Sequence, residues 1–388
     1  MRILVASHTY IVDLNREKWR SLARLQPDME VTVVVPQRWR PGGVQKQIIE
    51  PEYLEEGSFR VVPIANFSQN NQGLLAFGTG LIGLLRKFRP HILQVEQGVK
   101  SLAYAEFITL NRLLNLQAKN VFFTWWNLPY QLRWPVTALE AYNLRHSHGI
   151  IAGNQDGADI LRQRGYQGPI AVMPQLGVDE KIFQPQPQTE LALALGITSD
   201  DFVVGFVGRF VPEKGLMTLA KALAGLREYP WKWLLVGRGE QQEQLQNWAA
   251  DNQLSDRLIW VKSVPHDEVP RYMNLINALV LPSETTYEFQ TLTSAGWKEQ
   301  FGHVLIEAMA CKVPIIGSDC GEIPHAIGDA GLIFPEQDVD ALQNCLQRLF
   351  EEPQIGKDLG QKGYERAMNQ YTNHALAKRT WEFYRTLF

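Results

Sequence analysis

Cysteine is scarce in this sequence: Cys311, Cys320 and Cys345 are the only three in 388 residues. They form no even, regularly spaced set and no C-x-x-C pair, which argues against a disulfide scaffold and a zinc module. Long apolar runs are missing too; none approaches the roughly 18–20 residues that span a bilayer. Neither half of the chain shows G-x-G-x-x-G after its first strand, which argues against a nicotinamide dehydrogenase. Charge of one sign does not dominate, since the formal net charge is −3. With no basic strip interleaved with aromatics, a nucleic-acid partner is not expected. A hydrophobic share of 45% and a charged share of 20% exclude a disordered or fibrous chain. The opening MRILVASHTY lacks a long apolar region and a small-residue cleavage site, so it reads as a first β-strand rather than a signal peptide. A cytoplasmic location is the expectation.

The small net charge conceals an asymmetry. Residues 1–175 hold 19 Lys and Arg against 13 Asp and Glu, and the remainder is net acidic. A basic first half suggests an anionic partner: a membrane surface, a lipid phosphate or an acidic polymer. Ordinary variation between two solvated surfaces would produce the same count. The aromatic and basic groups Trp19-Arg20, Arg38-Trp39-Arg40 and Trp125-Trp126 read mainly as core material, with a membrane interface as the alternative.

What is present is a repeated alternation of strand-like and helix-like segments. Strands are expected at 2–6, 31–35, 59–63, 91–95, 121–124, 149–152 and 170–173, with helical periodicity over 15–25 and 74–88. The pattern restarts with strands at 202–207, 233–236, 258–261, 278–281 and 314–317, and helices at 216–228, 241–252 and 269–275. The stretch Phe183-Gln-Pro-Gln-Pro-Gln-Thr reads as the linker. Such alternation predicts an α/β chain of two doubly wound parallel-sheet domains, 1–180 and 181–374. A final helix over 375–388 is expected to pack back on the first domain. Ligands of open α/β sheets sit at the carboxyl ends of the strands, so two such domains facing each other would form a cleft for two substrates.

Two constellations carry chemistry. The strand at 202–207 runs into Gly208-Arg209-Phe210-Val211-Pro212-Glu213-Lys214-Gly215. A glycine there admits a tight turn and a close ligand, and Arg209 and Lys214 before a helix N-terminus suit a diphosphate. The second is Glu299-Gln-Phe-Gly-His-Val-Leu-Ile-Glu307. If Phe301–Val304 is a first helical turn, the N–H groups of Phe301, Gly302, His303 and Val304 can hold phosphate oxygens. Glu299 before the turn and Glu307 inside the helix would accept from sugar hydroxyls, one from a hexose and the other from a ribose. Glu307, between apolar Ile306 and Ala308, should be semi-buried and in need of a partner. By themselves, two glutamates at this spacing are equally an exposed loop residue and a helix-surface residue.

Together, GRFVPEKG, LLVGRGE, LPS, EQFGHVLIEAMACKVPIIGSDCGEIPHAIGDAGLIFP and QLGVD resemble family 4 of the GT-B-fold glycosyltransferases, retaining enzymes that use nucleotide-sugar donors. The resemblance covers roughly residues 150–345 and is weak over the first 140. It implies that Arg209 and Lys214 hold the donor diphosphate, that Glu307 binds the ribose and that Glu299 contacts the donor sugar. It also implies that the Phe301–Val304 amides lie near sugar and diphosphate, and that residues around Trp260–Lys262, Lys262 included, line the base pocket.

There are departures. Ser7-His8-Thr9-Tyr10 replaces the Gly-Gly pair that such enzymes often place after the first strand. Trp125-Trp126-Asn127 replaces a His often found near the reacting centre. Asn127, with Trp126 beside it, can hydrogen-bond a sugar hydroxyl but cannot carry a proton. Residues 284–298, rich in Thr with Tyr287, Phe289 and Trp297, read as an inserted lid or binding loop. His8 and His303 are the two histidines expected near the site. No D-x-D pair accompanies these site motifs, so no metal or other cofactor is called for.

The resulting expectation is a retaining hexosyltransferase. Glu299, Arg209 and Lys214 would form its catalytic group, with a UDP- or GDP-sugar as donor and a glycan or lipid-linked acceptor of cell-surface polysaccharide synthesis. It would act in the cytoplasm or on the inner face of the membrane. The alternatives are a sugar-nucleotide 2-epimerase and a non-catalytic nucleotide-sugar-binding partner.

Overall fold

Two parallel sheets organise the chain. The computed structural model describes residues 1–41, 47–290 and 295–388. These divide into two units, Met1–Gly177 with Asn373–Phe388, and Val178–Thr372.

The first unit is built on β1 (Arg2–Ala6), β2 (Glu30–Pro36), β3 (Leu54–Glu56), β4 (Phe59–Ile64), β5 (Ile92–Val95), β6 (Lys119–Thr124), β7 (Gly149–Ala152) and β8 (Ile170–Val172). Their order across the sheet is β8-β7-β6-β5-β1-β2-β4-β3. The central strands are short runs of Val, Ile and Leu because helices cover both faces: Ile3, Val5, Val33, Val35, Ile92 and Leu93 are fully buried. Only β3 runs antiparallel, against β4. It carried no strand signal because it is a polar edge, with Glu55 and Glu56 exposed.

The helix expected over 74–88 starts only at Gly80 and runs to Phe88. The Asn71 side chain accepts from the N–H groups of Gly73 (3.0 Å) and Leu74 (3.3 Å), which closes a short 3-10 turn and stops helix growth there. The final helix, Asn373–Arg385, belongs to the first unit. The Tyr384 hydroxyl donates to Gln94 (2.7 Å) and Arg379 donates to the Val172 carbonyl (2.8 Å).

The second unit is built on β9 (Phe202–Arg209), β10 (Trp231–Arg238), β11 (Leu258–Val261), β12 (Ala278–Leu281), β13 (Ile315–Ser318) and β14 (Gly331–Phe334). Their order is β11-β10-β9-β12-β13-β14, and every pairing is parallel. In strand-order terms this is 3-2-1-4-5-6, with the topological switch between β9 and β12. A ligand crevice is therefore expected outside the carboxyl ends of those two strands.

The linker expectation needs correction. Phe183 is buried, the Gln186 N–H donates to the Asn274 side chain (2.9 Å), and Asn274 donates to the Gln184 carbonyl (3.0 Å). That stretch is pinned to the second unit, and the division falls between Gly177 and Val178. Among the described residues no helix is long and apolar enough to cross a membrane.

Candidate functional site

The carboxyl end of β9 is where the first constellation lies. β9 ends at Gly208-Arg209, a 3-10 turn follows over Pro212–Lys214, and Gly215 opens the helix Leu216–Ala224. Gly215 has a φ of +64°, and a Cβ there would sit 1.8 Å from the Pro282 carbonyl oxygen at the end of β12. Only glycine lets this loop press against the neighbouring strand end. Gly215→Ala is therefore expected to cost at least about 1 kcal/mol from the left-handed backbone alone. Its larger effect is to push the Lys214 loop off β12. A urea midpoint and a donor-binding isotherm that both match the unsubstituted chain would contradict this.

The second constellation starts on the other side of the switch. The helix His303–Ala310 has Gly302 as its cap residue, with a φ of +79° and no side-chain cap. The first helical turn thus starts at His303; Phe301 precedes it and is buried with its ring 5.6 Å from that of Tyr371. The Phe301–Val304 turn expected from sequence is corrected accordingly: Gly302 breaks from helical φ, so the amides at the helix start are those of His303 and Val304.

Lys214 and Glu299 meet. The Lys214 ammonium pairs with Glu299 Oε2, which also accepts from the Ser283 hydroxyl at 2.9 Å. Both side chains are largely buried, and the Lys214 nitrogen lies 5.0 Å from the centre of the Trp297 ring. The Glu299 backbone is held as well, its N–H facing Cys320 Sγ (3.4 Å) and its carbonyl accepting from Glu322 N–H (3.1 Å). A cation and a carboxylate 85 positions apart in sequence are thus brought to one point. Arg209 is different: its side chain is 62% exposed, and its guanidinium lies at a long 3.4 Å from Glu213 Oε1. An exposed guanidinium with so weak a partner is available to an incoming anion.

Glu307 lies one turn into its helix, 13% exposed, and its carboxylate is 2.9 Å from His266 Nε2. This supplies the partner that its semi-burial called for. The hydrogen bond to Glu307 holds the His266 pKa above the ordinary imidazole value, against the opposing effect of burial. A raised folded-state pKa adds stability that is complete below about pH 6.5. It is lost as pH rises through the folded value. The melting-temperature gap between the unsubstituted chain and His266→Gln should therefore be largest near pH 6 and close by pH 9; a gap independent of pH would contradict the pairing.

His266 was not singled out from sequence. Its only signal was its place in Val-Pro-His-Asp-Glu after β11, beside Lys262. Glu213 and Ser283 were missed for a similar reason, because neither type signals a role until the strand ends converge. Lys262 is exposed just past β11, and half-buried Trp260 packs edge-on against Phe210 with ring centres 5.9 Å apart.

The inserted stretch 284–298 forms a hairpin of Thr286–Gln290 and Ala295–Trp297. Residues 291–294 and the side chain of Phe289 lie outside the described residues. Its root is tied down: Thr218 donates to Glu284 (2.5 Å), and the Thr285 hydroxyl donates to Glu336 (2.8 Å). One D-x-D spacing does occur, at Asp338-Val339-Asp340, but Asp338 is spent as a helix cap, accepting from Ala341 N–H at 2.9 Å.

Asn127 and Trp126 belong to the first unit, just beyond β6. Asn127 is buried, and the Lys100 ammonium sits 4.0 Å from the centre of the Trp126 ring. His8, after β1, packs against Trp39 with ring centres 4.9 Å apart and the planes tilted by 40°, and has its Nδ1 3.0 Å from the Gln97 amide. Burial pushes its pKa down to about 4. It lines a cavity of about 390 Å³ together with Thr9, Asn15, Trp39, Asn70 and Gln72.

Residues 188–366 match the family described as glycosyl transferases group 1. The chain is 30% identical over 215 residues to a GDP-mannose-dependent alpha-(1-6)-phosphatidylinositol monomannoside mannosyltransferase of Mycolicibacterium smegmatis, covering 53% of this chain and 54% of that one. It is 25% identical over 244 residues to an N-acetyl-alpha-D-glucosaminyl L-malate synthase of Bacillus anthracis, covering 62% and 56%. The matches thus span about half the length of these curated relatives. Among solved structures, a sucrose-phosphate synthase from Thermosynechococcus elongatus superposes with a TM-score of 0.69 at 22% identity, covering 100% of this chain and 99% of the other. The Anabaena protein HepE in complex with UDP gives 0.70 at 15% identity, covering 99% of each chain. At these identities the superpositions speak for the fold.

Proposed function

We propose that this chain, whose residues 188–366 match the glycosyl transferases group 1 family, is a retaining glycosyltransferase with a nucleoside-diphosphate sugar as donor. The observation that carries the reading is the meeting of Lys214 and Glu299 at the β9/β12 switch, flanked by exposed Arg209 and by a helix start that no side chain caps. Cations and the first amides of a helix at a switch point fit a diphosphate. A carboxylate beside them fits the hydroxyls of the attached sugar, and the Glu307–His266 pair on the next helix turn fits the ribose.

The chemistry follows from that placement. The bond between the anomeric carbon and the diphosphate oxygen breaks, and negative charge grows on the leaving phosphate. Lys214, Arg209 and the helix start are already in position to stabilise it, without reorganisation at the moment of reaction. An acceptor hydroxyl adds to the same face of the sugar, and its proton passes to the departing phosphate. The tethered hairpin, with Trp297 against Lys214, serves as a lid over the donor. UDP or GDP is the expected leaving group. A glycan or a lipid-linked sugar, held by the first unit with Asn127 and Trp126 among its contacts, is the expected acceptor. The basic surface of the first unit supports contact with an anionic membrane during polysaccharide synthesis.

The test is release of nucleoside diphosphate from a panel of UDP-, GDP- and ADP-sugars, followed by the anomeric configuration of the product. Turnover of one donor with the configuration kept is expected. No binding and no release with any donor would overturn the reading, and an inverted product would overturn retention.

A further inference from the structure

A second charged cavity lies away from all these residues, at the amino ends of the first unit's strands. It has a volume of about 670 Å³ and opens broadly to solvent, where the helix Leu102–Leu113, the start of β6 and the turn before β7 come together. Arg112, Lys119, Arg145, His146 and His148 line it, and no carboxylate does so among the described residues. Elsewhere in the unit, Arg16, Arg20, Arg60 and Arg164 each pair with an Asp or Glu. Arg112 instead donates to a neutral acceptor, His146 Nε2, at 3.2 Å. Lys119 lies over the Phe388 ring, 5.5 Å from its centre. Three cations thus line one groove with no carboxylate side chain among its described lining residues, and like charges sharing a groove favour a bound anion.

The floor of the groove is built rather than incidental. Buried Asn111 donates to the Ala118 carbonyl and to Asn120 Oδ1, both at 2.8 Å. Buried Asn120 donates through its side chain to the His146 carbonyl and through its backbone N–H to His148 Nδ1, both at 3.0 Å. One chain of hydrogen bonds thus ties the helix end, the strand start and the β7 turn. His146 Nδ1 lies 2.8 Å from the Tyr142 carbonyl, which orients that ring so that Nε2 takes the Arg112 proton. Because His148 Nδ1 accepts, the proton of its ring is on Nε2. The cations are therefore carried on a pre-ordered frame, which lowers the entropy lost on binding a ligand.

We propose that this groove is an oxyanion site for a phosphorylated ligand, separate from the donor site. It gathers three of the Lys and Arg side chains that make the first half of the sequence basic. A phosphate group takes several charge-assisted hydrogen bonds at once, and arginine forks suit it better than a single carboxylate.

The test is calorimetric titration of the full chain with inorganic pyrophosphate, in the unsubstituted protein, in Lys214→Ala and in Arg112→Ala/Arg145→Ala. The two arginines are exposed, so their removal leaves the fold intact; matching melting curves check this. Lys214→Ala is expected to retain a pyrophosphate site. The double arginine substitution, made in the Lys214→Ala background, is expected to weaken that site at least about tenfold. No site in Lys214→Ala, or a site that the arginine substitutions leave unchanged, would overturn the proposal if vesicle binding is also indifferent to them. Sedimentation with phosphatidylcholine vesicles, with and without phosphatidylglycerol, distinguishes the source. Arginine-dependent capture by the anionic vesicles assigns the site to a lipid headgroup. Arginine-dependent pyrophosphate binding without capture assigns it to a free phosphorylated ligand. The outcome does not depend on whether Lys214 serves a donor, since the groove is read out with that residue removed.

Discussion

Lys214→Ala is expected to release nucleoside diphosphate about 10²–10³ times more slowly than the unsubstituted chain, a loss of about 3–4 kcal/mol of transition-state stabilisation. The size follows from where the charge goes. In the proposed reaction the leaving phosphate gains negative charge as the glycosidic bond breaks, and Lys214 is the largely buried cation at the β9/β12 switch. Arg209, 62% exposed, would share the task from solvent and be screened accordingly. The substitution also takes the Lys214 ammonium from Glu299, whose side chain is 9% exposed and which keeps the Ser283 hydroxyl. Some stability is lost with it, because removing one partner of a buried ion pair is costly. Lys214→Ala/Glu299→Gln separates the two effects. It removes the carboxylate charge as well, so its urea midpoint should recover toward the starting value while release stays slow. Lys214→Ala turning over within about threefold of the parent, a difference of about 0.65 kcal/mol, would remove Lys214 from the chemistry.

The strands that were legible in sequence are those whose burial is symmetric. Val31–Val35 and Phe202–Val207 announce themselves because helices cover both faces, so their side chains are almost all apolar, buried Thr32 being the exception. Leu54–Glu56 was not legible, since an edge strand facing water is selected for charge. Helix starts were misplaced where a side chain intervened, as Asn71 does before Gly80. At the candidate site the residue types and their segments could be read, because a glycine and two cations after a strand, with two carboxylates around a helix start, are a chemical pattern. Their pairing could not be. Whether Lys214 would meet Glu299 depends on which strands are neighbours at the switch, a property of β9 and β12 that neither local segment encodes. His266 was lost for the same reason: its significance comes from Glu307, 41 positions away.

Glu96→Ala is expected to cost about 3–5 kcal/mol of stability, the usual penalty for stranding a buried charge. Glu96 sits at the carboxyl end of β5 with its side chain fully buried. Its carboxylate accepts from the Tyr10 hydroxyl, from Gln175 (2.7 Å) and from Gln94 (2.6 Å), and Lys18 Nζ lies 3.9 Å away. Lys18, itself 3% exposed, also donates to the Gln175 carbonyl. Burial pushes the Lys18 pKa below that of an ordinary lysine, and the Glu96 charge opposes the shift.

Glu96→Gln isolates the charge, because an amide of the same shape keeps an acceptor for Tyr10. Without the carboxylate, Lys18 falls further and must give up its proton to stay buried, while the unfolded chain keeps it up to about pH 10.4. The unfolded state then binds more protons, so stability rises with pH, by up to about 1.4 kcal/mol per pH unit between pH 7 and 9. Lys100, which burial lowers to about 8, titrates inside this window, but it does so in parent and variant alike and cancels in their comparison. His8, lowered to about 4, acts below pH 6.5, and the raised Tyr10 and Tyr384 act above about pH 10. His266 contributes equally to parent and variant. Urea midpoints at pH 7 and 9 should therefore converge for Glu96→Gln and its parent as pH rises. Parallel midpoints across that range would mean that Lys18 keeps its charge on the Gln175 carbonyl alone, and that Glu96 serves the first unit through its hydrogen bonds rather than through its charge.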